Sequence, residues 1–421
     1  MHFRFSLIMA AARTQSLVLS MRHSSFMLGN ALTSTVMRRK LNPFRSISFS
    51  TTFSPRPLTR RKISDVFTST TSCGRNATSR LASISTTSMF IKDKELINNM
   101  LFRIRKCNHI SQRVQDSLLD FVIDGSVVGK TTDAVAKCLC NASPSSKPIF
   151  EISTTTSNTR VVTLTEAAGS TLESRSEAIM SVMINLRSQG LITGWRDELL
   201  PLSKGFYDAP LALVERAGAG FLGMQQYGVH INGFVRSPDD DESGGSGVGE
   251  ERMWMARRSV TKSKYPGMLD HIVAGGQPAG LGLMENVLKE CMEEAGITED
   301  VTRKGIQAAG AISYEGFEDF NTSGGGGSTE IDGFISRSVL FCYDLELPPD
   351  FVPDAVDGEV GEFFQWSIEE VIESMHNDYY DPIKPNCYLV IIDFLLRRGH
   401  ISPEVPGYLD VLRELRSGYC G

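Results

Sequence analysis

Three glutamates, Glu290, Glu293 and Glu294, have the spacing of metal ligands on one face of a helix. At about 100° per residue, positions i, i+3 and i+4 share one arc. Apolar residues of the same segment fall on the other side: Val287, Leu288, Cys291, Met292 and Ala295. A divalent cation needs several hard oxygen ligands that converge, and these carboxylates supply them. The spacing predicts a site for Mg²⁺, with Mn²⁺ as an alternative; a solvated acidic helix is the competing interpretation.

A glycine-rich turn stands ahead of the acids, with Gly275 and Gly276 first and Gly280 and Gly282 after them. Residues without a Cβ permit a tight turn and let a diphosphate approach backbone N–H groups. Many glycine-rich loops are only hinges, so the turn indicates a phosphate site only in combination with the acids that follow it. Gly275 and Gly276 are therefore candidate phosphate-binding residues.

The turn and the helix together match a known motif. From Gly275 to Ile297 the sequence resembles the Nudix box: a glycine, five residues, a glutamate, seven residues, then Arg-Glu-aliphatic-x-Glu-Glu-x-Gly-aliphatic. Leu281 replaces the first glutamate and Lys289 replaces the arginine. These departures look like a compensated swap, in which Glu285, four residues before Lys289, takes over the pairing.

The resemblance implies the roles of the acids. Glu290 and Glu294 take the positions that bind magnesium in this superfamily. Glu293 takes that of a further metal ligand or of the group that activates water. Glu359, with its neighbour Glu362 in DGEVGEF, is another candidate acceptor for the proton of water, although both could be ordinary solvated acids.

Basic residues lie just before the box, in the segment ARRSVTKSKYPG. Arg257, Arg258 and Lys262 are candidate ligands of substrate phosphates. Alternate side chains of a strand point to opposite faces, so only some of them reach one site. Trp195 and Arg196 could clamp a flat ring, although a tryptophan in such a place is more often part of the core.

Longer stretches resemble one group of the superfamily, the thiamine-diphosphate-related Nudix hydrolases. They begin at Gly194 (GWRDELLPL), Glu215 (ERAGAGFLGMQQYGVHINGFV), Met253 (MWMARRSVTKSKYPGMLDHIVAGGQPAGL), Asp357 (DGEVGEFFQWSIEEV) and Asn386 (NCYLVIIDFLLRRGHI). The likeness implies that a small-molecule diphosphate is hydrolysed, thiamine diphosphate or its damaged oxo and oxy analogues, to the monophosphate and phosphate. Related members leave 8-oxo-dGDP or another nucleoside diphosphate as the alternative substrate, and a homodimer stays open.

Two other functions compete with hydrolysis. An isomerase of the isopentenyl-diphosphate type shares the fold, but this chain lacks the cysteine-containing substrate motif of that family, and Cys291 lies on the apolar side of the helix. A non-catalytic Nudix-fold binding module is the alternative of another class. The presence of Glu290, Glu293 and Glu294 argues against it.

Residues 1–92 differ in composition from the rest of the chain. They hold 14 Lys and Arg against the single acid Asp65, and they are rich in Ser and Thr. This composition is typical of a transit peptide for the mitochondrion or the plastid, and a disordered basic tail is the alternative. Without this leader, residues 93–421 carry a net charge of about −19. Such a charge repels polyanions, so extended nucleic acid is not an expected partner.

Other partners and sites are disfavoured by the sequence. No segment approaches about 18 uncharged apolar residues, so no membrane span is predicted. Cys138 and Cys140 lack a second ligand cluster for zinc, and no disulfide framework is predicted. His230 and His271 have no partner at a ligand spacing, so each is interpreted as a packing residue.

The elements predict an α/β chain with an accessory segment before its catalytic domain. Residues 93–224 form a smaller mixed α/β domain, with helices over residues 95–109, 114–123 and 173–190 and a strand over 160–164. Residues 225–415 form the Nudix domain, an α/β/α sandwich with a mixed sheet. Its strands are predicted over residues 228–235, 252–259, 310–320, 336–347 and 363–367, and its last helix over 386–399.

Overall fold

The structure, a computed structural model, describes residues 93–236, 250–319 and 333–418. All of them belong to one compact unit, Phe90–Gly421. The predicted leader and most of both glycine-rich inserts, residues 237–249 and 320–332, lie outside the described residues. Within the described ranges, no helix combines the length and the apolar character needed to cross a membrane.

A small four-stranded sheet occupies the first part of the described chain. In chain order the elements are α1 (residues 93–107), α2 (Gln112–Gln115), β1 (Leu118–Ile123), β2 (Ser126–Thr132), α3 (Asp133–Asn141), β3 (Phe150–Thr154), β4 (Arg160–Leu164) and α4 (Leu172–Ser188). The strands of the sheet run in the order β2-β1-β4-β3, with β1 and β4 parallel. The predicted strand over residues 160–164 is confirmed. So is the long helix, which is followed by Gly190 in the left-handed region at φ 76°.

The helix predicted over residues 114–123 is wrong, because most of that segment is strand β1. Leu119, Phe121 and Ile123 are buried and alternate with less buried neighbours, which is a period of two rather than 3.6. Asp124 and Gly125 follow with φ of 50° and 74°, and they turn the chain into β2. The turn and the sheet pairing override the apolar spacing that suggested a helix.

A seven-stranded sheet forms the second part of the structure. A separate two-stranded sheet of β5 (Leu199–Leu202) and β6 (Ala212–Glu215) precedes it in the chain, followed by α5 (Ala219–Leu222). The seven strands are β7 (Gln225–Arg236), β8 (Glu251–Arg258), β9 (Leu269–His271), β10 (Val273–Gly276), β11 (Ile306–Asp319), β12 (Gly333–Glu346) and β13 (Val360–Ser367). The helices are α6 (Leu283–Ala295), α7 (Glu299–Gly305), α8 (Ile368–Glu373), α9 (Pro385–Arg397) and α10 (Tyr408–Leu415).

The main path of the large sheet is β11-β12-β7-β8-β13, with β10 paired to β7 and β9 to β8. β12 and β7 are parallel while β7 and β8 are antiparallel, so the sheet is mixed as predicted.

Helices cover both faces of this large sheet. On one face, Val229 and Ile231 of β7 pack in a core with Val287 and Cys291 of α6. On the other face, α9 is buried along almost its whole length, in a core that also holds α1 and α10. The predicted α/β/α sandwich with a mixed sheet is confirmed, and α1 packs against it although it precedes the small sheet in sequence.

A backbone contact joins the small sheet to the large one. Gly129 of β2 forms a bridge with Met224, and the N–H of Lys130 donates to the carbonyl of Gly223 at 3.1 Å. A Cβ at Gly223 would lie 1.5 Å from the carbonyl oxygen of Lys130, and its φ is 53°. Only glycine fits there, because both the space and the backbone conformation exclude a side chain.

We expect Gly223→Ala to destabilise the protein by more than about 3 kcal/mol, because a backbone clash adds to left-handed strain. Gly190→Ala is the matched control. It has a similar φ of 76° with open space around it, so it should cost only about 1–2 kcal/mol. Urea unfolding of the two variants measures the difference, and equal midpoints would contradict a tight joint at Gly223.

Candidate active site

The carboxylate of Glu290 lies directly against the backbone of Gly275. A Cβ on Gly275 would stand 2.2 Å from Cδ of Glu290 and 2.5 Å from its Oε2. β10 places Gly275 beside α6 through its pairing with Val229 of β7. The missing side chain therefore makes the space in which the acid sits.

Glu294 lies on the same side of α6 and is anchored to the same strand. Its side chain is buried, and its Oε2 accepts a hydrogen bond of 2.8 Å from the N–H of Ala274. Burial raises the pKa of Glu294 well above its ordinary value, and the nearby charge of Glu290 adds to this rise. Burial likewise raises the pKa of Glu290. Two partly desolvated carboxylates side by side suit a divalent cation that neutralises both.

Lys289 links Glu293, the third acid of the helix, to Glu290. Its Nζ lies 3.0 Å from Oε1 of Glu290 and 2.6 Å from Oε2 of Glu293. The expected pairing of Lys289 with Glu285 is wrong. Glu285 instead accepts a hydrogen bond of 2.9 Å from the N–H of Gly282, at the start of α6, where a carboxylate complements the unpaired N–H groups.

Two side-chain amides hold the turn between β10 and α6. Nε2 of Gln277 donates to the carbonyl of Leu281 at 2.6 Å, and Nδ2 of Asn286 donates to the carbonyl of Gly276 at 2.8 Å. Leu281, which stands where the Nudix box has a glutamate, thus takes part through its backbone. The turn keeps its shape without that acid.

Glu359 and Lys262 line a small cavity together with Glu294. Nζ of Lys262 makes a very close ion pair with Oε2 of Glu359. Burial opposes ionisation of Glu359, but the hydrogen bond from Lys262 and its charge prevail and lower the pKa of Glu359. Glu362 does not line this cavity: it is largely exposed and pairs with Arg257 at 2.6 Å.

The neighbouring arginines on β8 point to different places. Arg258 lines the cavity and pairs with Asp270 at 2.7 Å. Arg257 is absent from the cavity wall and pairs with Asp381 at 2.8 Å and with Glu362. Successive side chains of a strand face opposite ways, so the structure brings only Arg258 of this pair to Lys262 and Glu359.

The pattern of the sequence gave no sign of Arg216, which reaches the glycine turn from the segment 93–224. A Cβ on Gly276 would lie 3.1 Å from its guanidinium. Arg216 pairs with Glu198 at 2.7 Å. Burial works against its charge, but Glu198 and the more distant Glu290 and Glu359 outweigh it and raise the pKa of Arg216. Arg216 is remote from the box in sequence, so no spacing rule connects them.

Trp195 packs against the core of the small sheet and is covered by another side chain. The guanidinium of Arg187 lies 4.7 Å from the centre of its ring, and its Nε1 donates to Asp197 at 3.0 Å. Arg196 donates to Oγ of Ser263 at 2.8 Å, and its charge is felt at Glu359. Of the two residues considered as a ring clamp, Arg196 is thus close enough to act on the charge of Glu359, whereas Trp195 packs against the core.

Comparisons with known proteins identify the family of the chain. A family profile described as "Domain of unknown function (DUF4743)" matches residues 99–226. Nudix hydrolase 24, chloroplastic, of Arabidopsis thaliana is 36% identical over 325 residues, which are 77% of this chain and 79% of that protein. Nudix hydrolase 20, chloroplastic, of the same plant is 42% identical over 249 residues, 59% of each chain. The chain belongs to the Nudix hydrolase family and is a hydrolase.

Solved structures add little to this assignment. A MutT/nudix family protein from Enterococcus faecalis has a TM-score of 0.29 and 12% identity, and the match covers 45% of this chain and 67% of that one. A score this low carries no weight, so membership of the family rests on the sequence relatives.

We expect Gly275→Ala to lower kcat/KM for hydrolysis by about 100-fold, because a Cβ displaces the carboxylate of Glu290. A higher concentration of divalent metal should also be needed for the half-maximal rate. Gly361→Ala is the control, since its Cβ would meet only the carbonyl oxygen of Arg257 at 3.6 Å. Steady-state hydrolysis rates over a titration of a divalent metal measure both effects. Wild-type rates in Gly275→Ala would contradict the prediction, because they would show that the position of the Glu290 carboxylate does not depend on a glycine at residue 275.

Proposed function

We propose that this chain is a Mg²⁺-dependent hydrolase of a small-molecule diphosphate, with Mn²⁺ as a substitute metal. The contact between Glu290 and Gly275 supports this most directly, because it fixes one carboxylate against β10 beside Glu294, which the same strand anchors, so that one cation can bind both. Glu290 and Glu294 would hold the cation, with Glu293 as a further ligand. These hard oxygen donors fit Mg²⁺ and Mn²⁺.

Cationic side chains around the carboxylates support an anionic substrate. The charges of Lys262, Arg196 and Arg216 all act on Glu359, and Arg258 lines the same cavity. Such a group of cations is notable in a chain whose residues 93–421 carry a net charge of about −19. Guanidinium groups bind phosphate oxygens with two parallel hydrogen bonds, so Arg216 and Arg196 are suited to grip a diphosphate.

Glu359 is the proposed acceptor for the proton of the attacking water. The bound metal would supply charge neutralisation on the phosphates and a lowered pKa of water. Lys262 keeps Glu359 ionised, and the carboxylate lines the cavity that Glu294 also lines. Glu293 is the alternative acceptor, although Lys289 already engages it. Glu290 acts by binding the metal rather than by taking the proton.

The proposed substrate is thiamine diphosphate or one of its oxo and oxy forms, and 8-oxo-dGDP is the alternative. Besides the sequence resemblance, an aromatic cluster supports a flat ring. Phe206 lies 4.8 Å, centre to centre, from both Tyr227 and Phe341. The carbonyl of Tyr227 accepts from the N–H of Gln277, next to the glycine turn. A heterocycle stacked there would lie near the diphosphate site.

Residues 93–224 are proposed to serve as an accessory domain that completes the site in residues 225–415, since Arg216 comes from the first and the carboxylates from the second. Residues 1–92 are proposed to direct the protein to an organelle. The names of both Arabidopsis relatives include "chloroplastic", which favours the plastid over the mitochondrion.

One experiment tests the activity and the site together. The protein is incubated with Mg²⁺ and thiamine diphosphate, oxothiamine diphosphate, oxythiamine diphosphate or 8-oxo-dGDP, and released phosphate is measured. Glu290→Gln should lower kcat at least about 100-fold, because it removes a metal ligand. Glu362→Gln, an exposed acid outside the cavity, should behave as wild type. Phosphate release would exclude a pure isomerase, and the absence of turnover on the whole panel would favour a binding module.

Arg216→Ala should lower kcat/KM by about 10–100-fold, the effect of losing a charge-assisted hydrogen bond to phosphate. Arg216→Lys should recover part of this loss, because it keeps the charge but not the planar fork. Arg113→Ala is the control. Arg113 lies in α2, in the small-sheet part of the chain, and is far in sequence from the glycine turn. Unchanged kinetics in Arg216→Ala would mean that the accessory segment does not contribute to the site.

A further inference from the structure

Three buried side chains with metal-binding atoms meet on the opposite face of β7 from α6. They are His230 of β7, His271 of β9 and Cys387 in the first turn of α9. One ligand atom from each lies within 4.8 Å of the others. Val229 and Ile231 face α6, so His230 between them faces α9. The fold thus gathers residues that are far apart in sequence.

The histidines lack the hydrogen bonds that buried polar atoms normally make. In the described part of the chain, neither ring nitrogen of His271 has a hydrogen-bond partner, and Nδ1 of His230 has none. The two rings meet edge to face, with centres 5.0 Å apart. Burial lowers the pKa of both imidazoles, which keeps them in the neutral form that binds metals. Buried polar atoms without hydrogen bonds destabilise the folded state, so this arrangement indicates a bound ligand.

We propose that His230, His271 and Cys387 form a second metal site, which binds Zn²⁺ and ties α9 to the sheet. Two imidazoles and one thiolate are a borderline-soft donor set that suits Zn²⁺ and not Mg²⁺. Tetrahedral Zn²⁺ places nitrogen and sulfur ligands about 3.3–3.6 Å apart, so side-chain shifts on the order of 1 Å suffice. Both histidines are buried, as expected of packing residues, and the proposal adds metal binding to that role.

The surroundings of Cys387 fit metal binding better than nucleophilic catalysis. Its Sγ donates to Oδ1 of Asp270 at 2.8 Å, and Asp270 is paired with Arg258 at 2.7 Å and Lys384 at 3.5 Å. Burial and the charge of Asp270 raise the pKa of the Cys387 thiol, and the charge of Lys384 only partly opposes this rise. When the metal binds, the thiol proton leaves to solvent, a sulfur–zinc bond forms, and the charge of the cation compensates that of the thiolate. Cys387 is fully buried, which denies a substrate access to the sulfur.

The site is chemically distinct from the carboxylates of α6, although His271 and Asp270 also line the cavity that Glu294 lines. The carboxylates offer only oxygen, whereas this group offers nitrogen and sulfur. A thiolate–metal bond therefore distinguishes this group from the carboxylates, and the loss of that bond in a Cys387 variant assigns it to Cys387. The proposal does not depend on which diphosphate the enzyme cleaves.

The test uses the full chain, stripped with a chelator and titrated with Co²⁺ and, separately, with Zn²⁺. Co²⁺ should produce the near-ultraviolet charge-transfer band of a cobalt–thiolate bond, and about one Zn²⁺ per chain should remain after desalting. Cys387→Ser should remove the band and the retained zinc. Cys342→Ser is the matched control: Cys342 is also buried and lies opposite His230 in the sheet, but it is outside the group. The cobalt–thiolate band of Cys342→Ser should equal that of the wild type.

Glu290→Gln should keep the cobalt–thiolate band, which separates this site from the carboxylate site. The wild-type titration stands even if a variant fails to fold, as checked by circular dichroism. Absence of a charge-transfer band and of retained Zn²⁺ in the wild type would overturn the proposal. So would an undiminished band in folded Cys387→Ser.

Discussion

The close approach of the Glu290 carboxylate to the backbone of Gly275 is the constraint on which the candidate site depends. Helix α6 can lie this near to β10 only because the strand has no side chain at that point. The approach also sets Glu294 against the N–H of Ala274, so two carboxylates are fixed by the same strand. Electrostatic repulsion between them is tolerated because the packing of the apolar side of α6 against β7 holds the helix in place.

A second constraint comes from the junction of the two sheets. The backbone of β2 touches the chain just before β7 so closely that only glycine fits at residue 223. Arg216 lies in the same connection between β6 and β7, and its guanidinium lies beside Gly276. Arg216 therefore reaches the site from outside the large sheet, whereas Arg258, Lys262 and the carboxylates belong to the large-sheet part of the chain.

The helix that carries the candidate metal ligands can be predicted from the sequence because its information is local: three acids, an apolar face and a preceding turn lie within residues 275–297. Strand β1 was mistaken for a helix, because its apolar residues satisfy both periods until the hairpin at Asp124 decides between them. The partner of Lys289 was missed, since Glu285 serves the start of the helix. Arg216 and the group around His271 could not be foreseen, because only tertiary folding brings their residues together.

The burial of α1 sets a limit on how the chain can be processed. Ile97, Met100 and Ile104 of α1 are almost completely shielded from solvent in the core that contains α9. Proteolysis inside this helix would strip the large sheet of part of its covering and expose apolar side chains to water. A leader could therefore be removed without loss of core packing only on the N-terminal side of Leu96 and Ile97, so packing rather than a recognition motif would define the latest permissible cut.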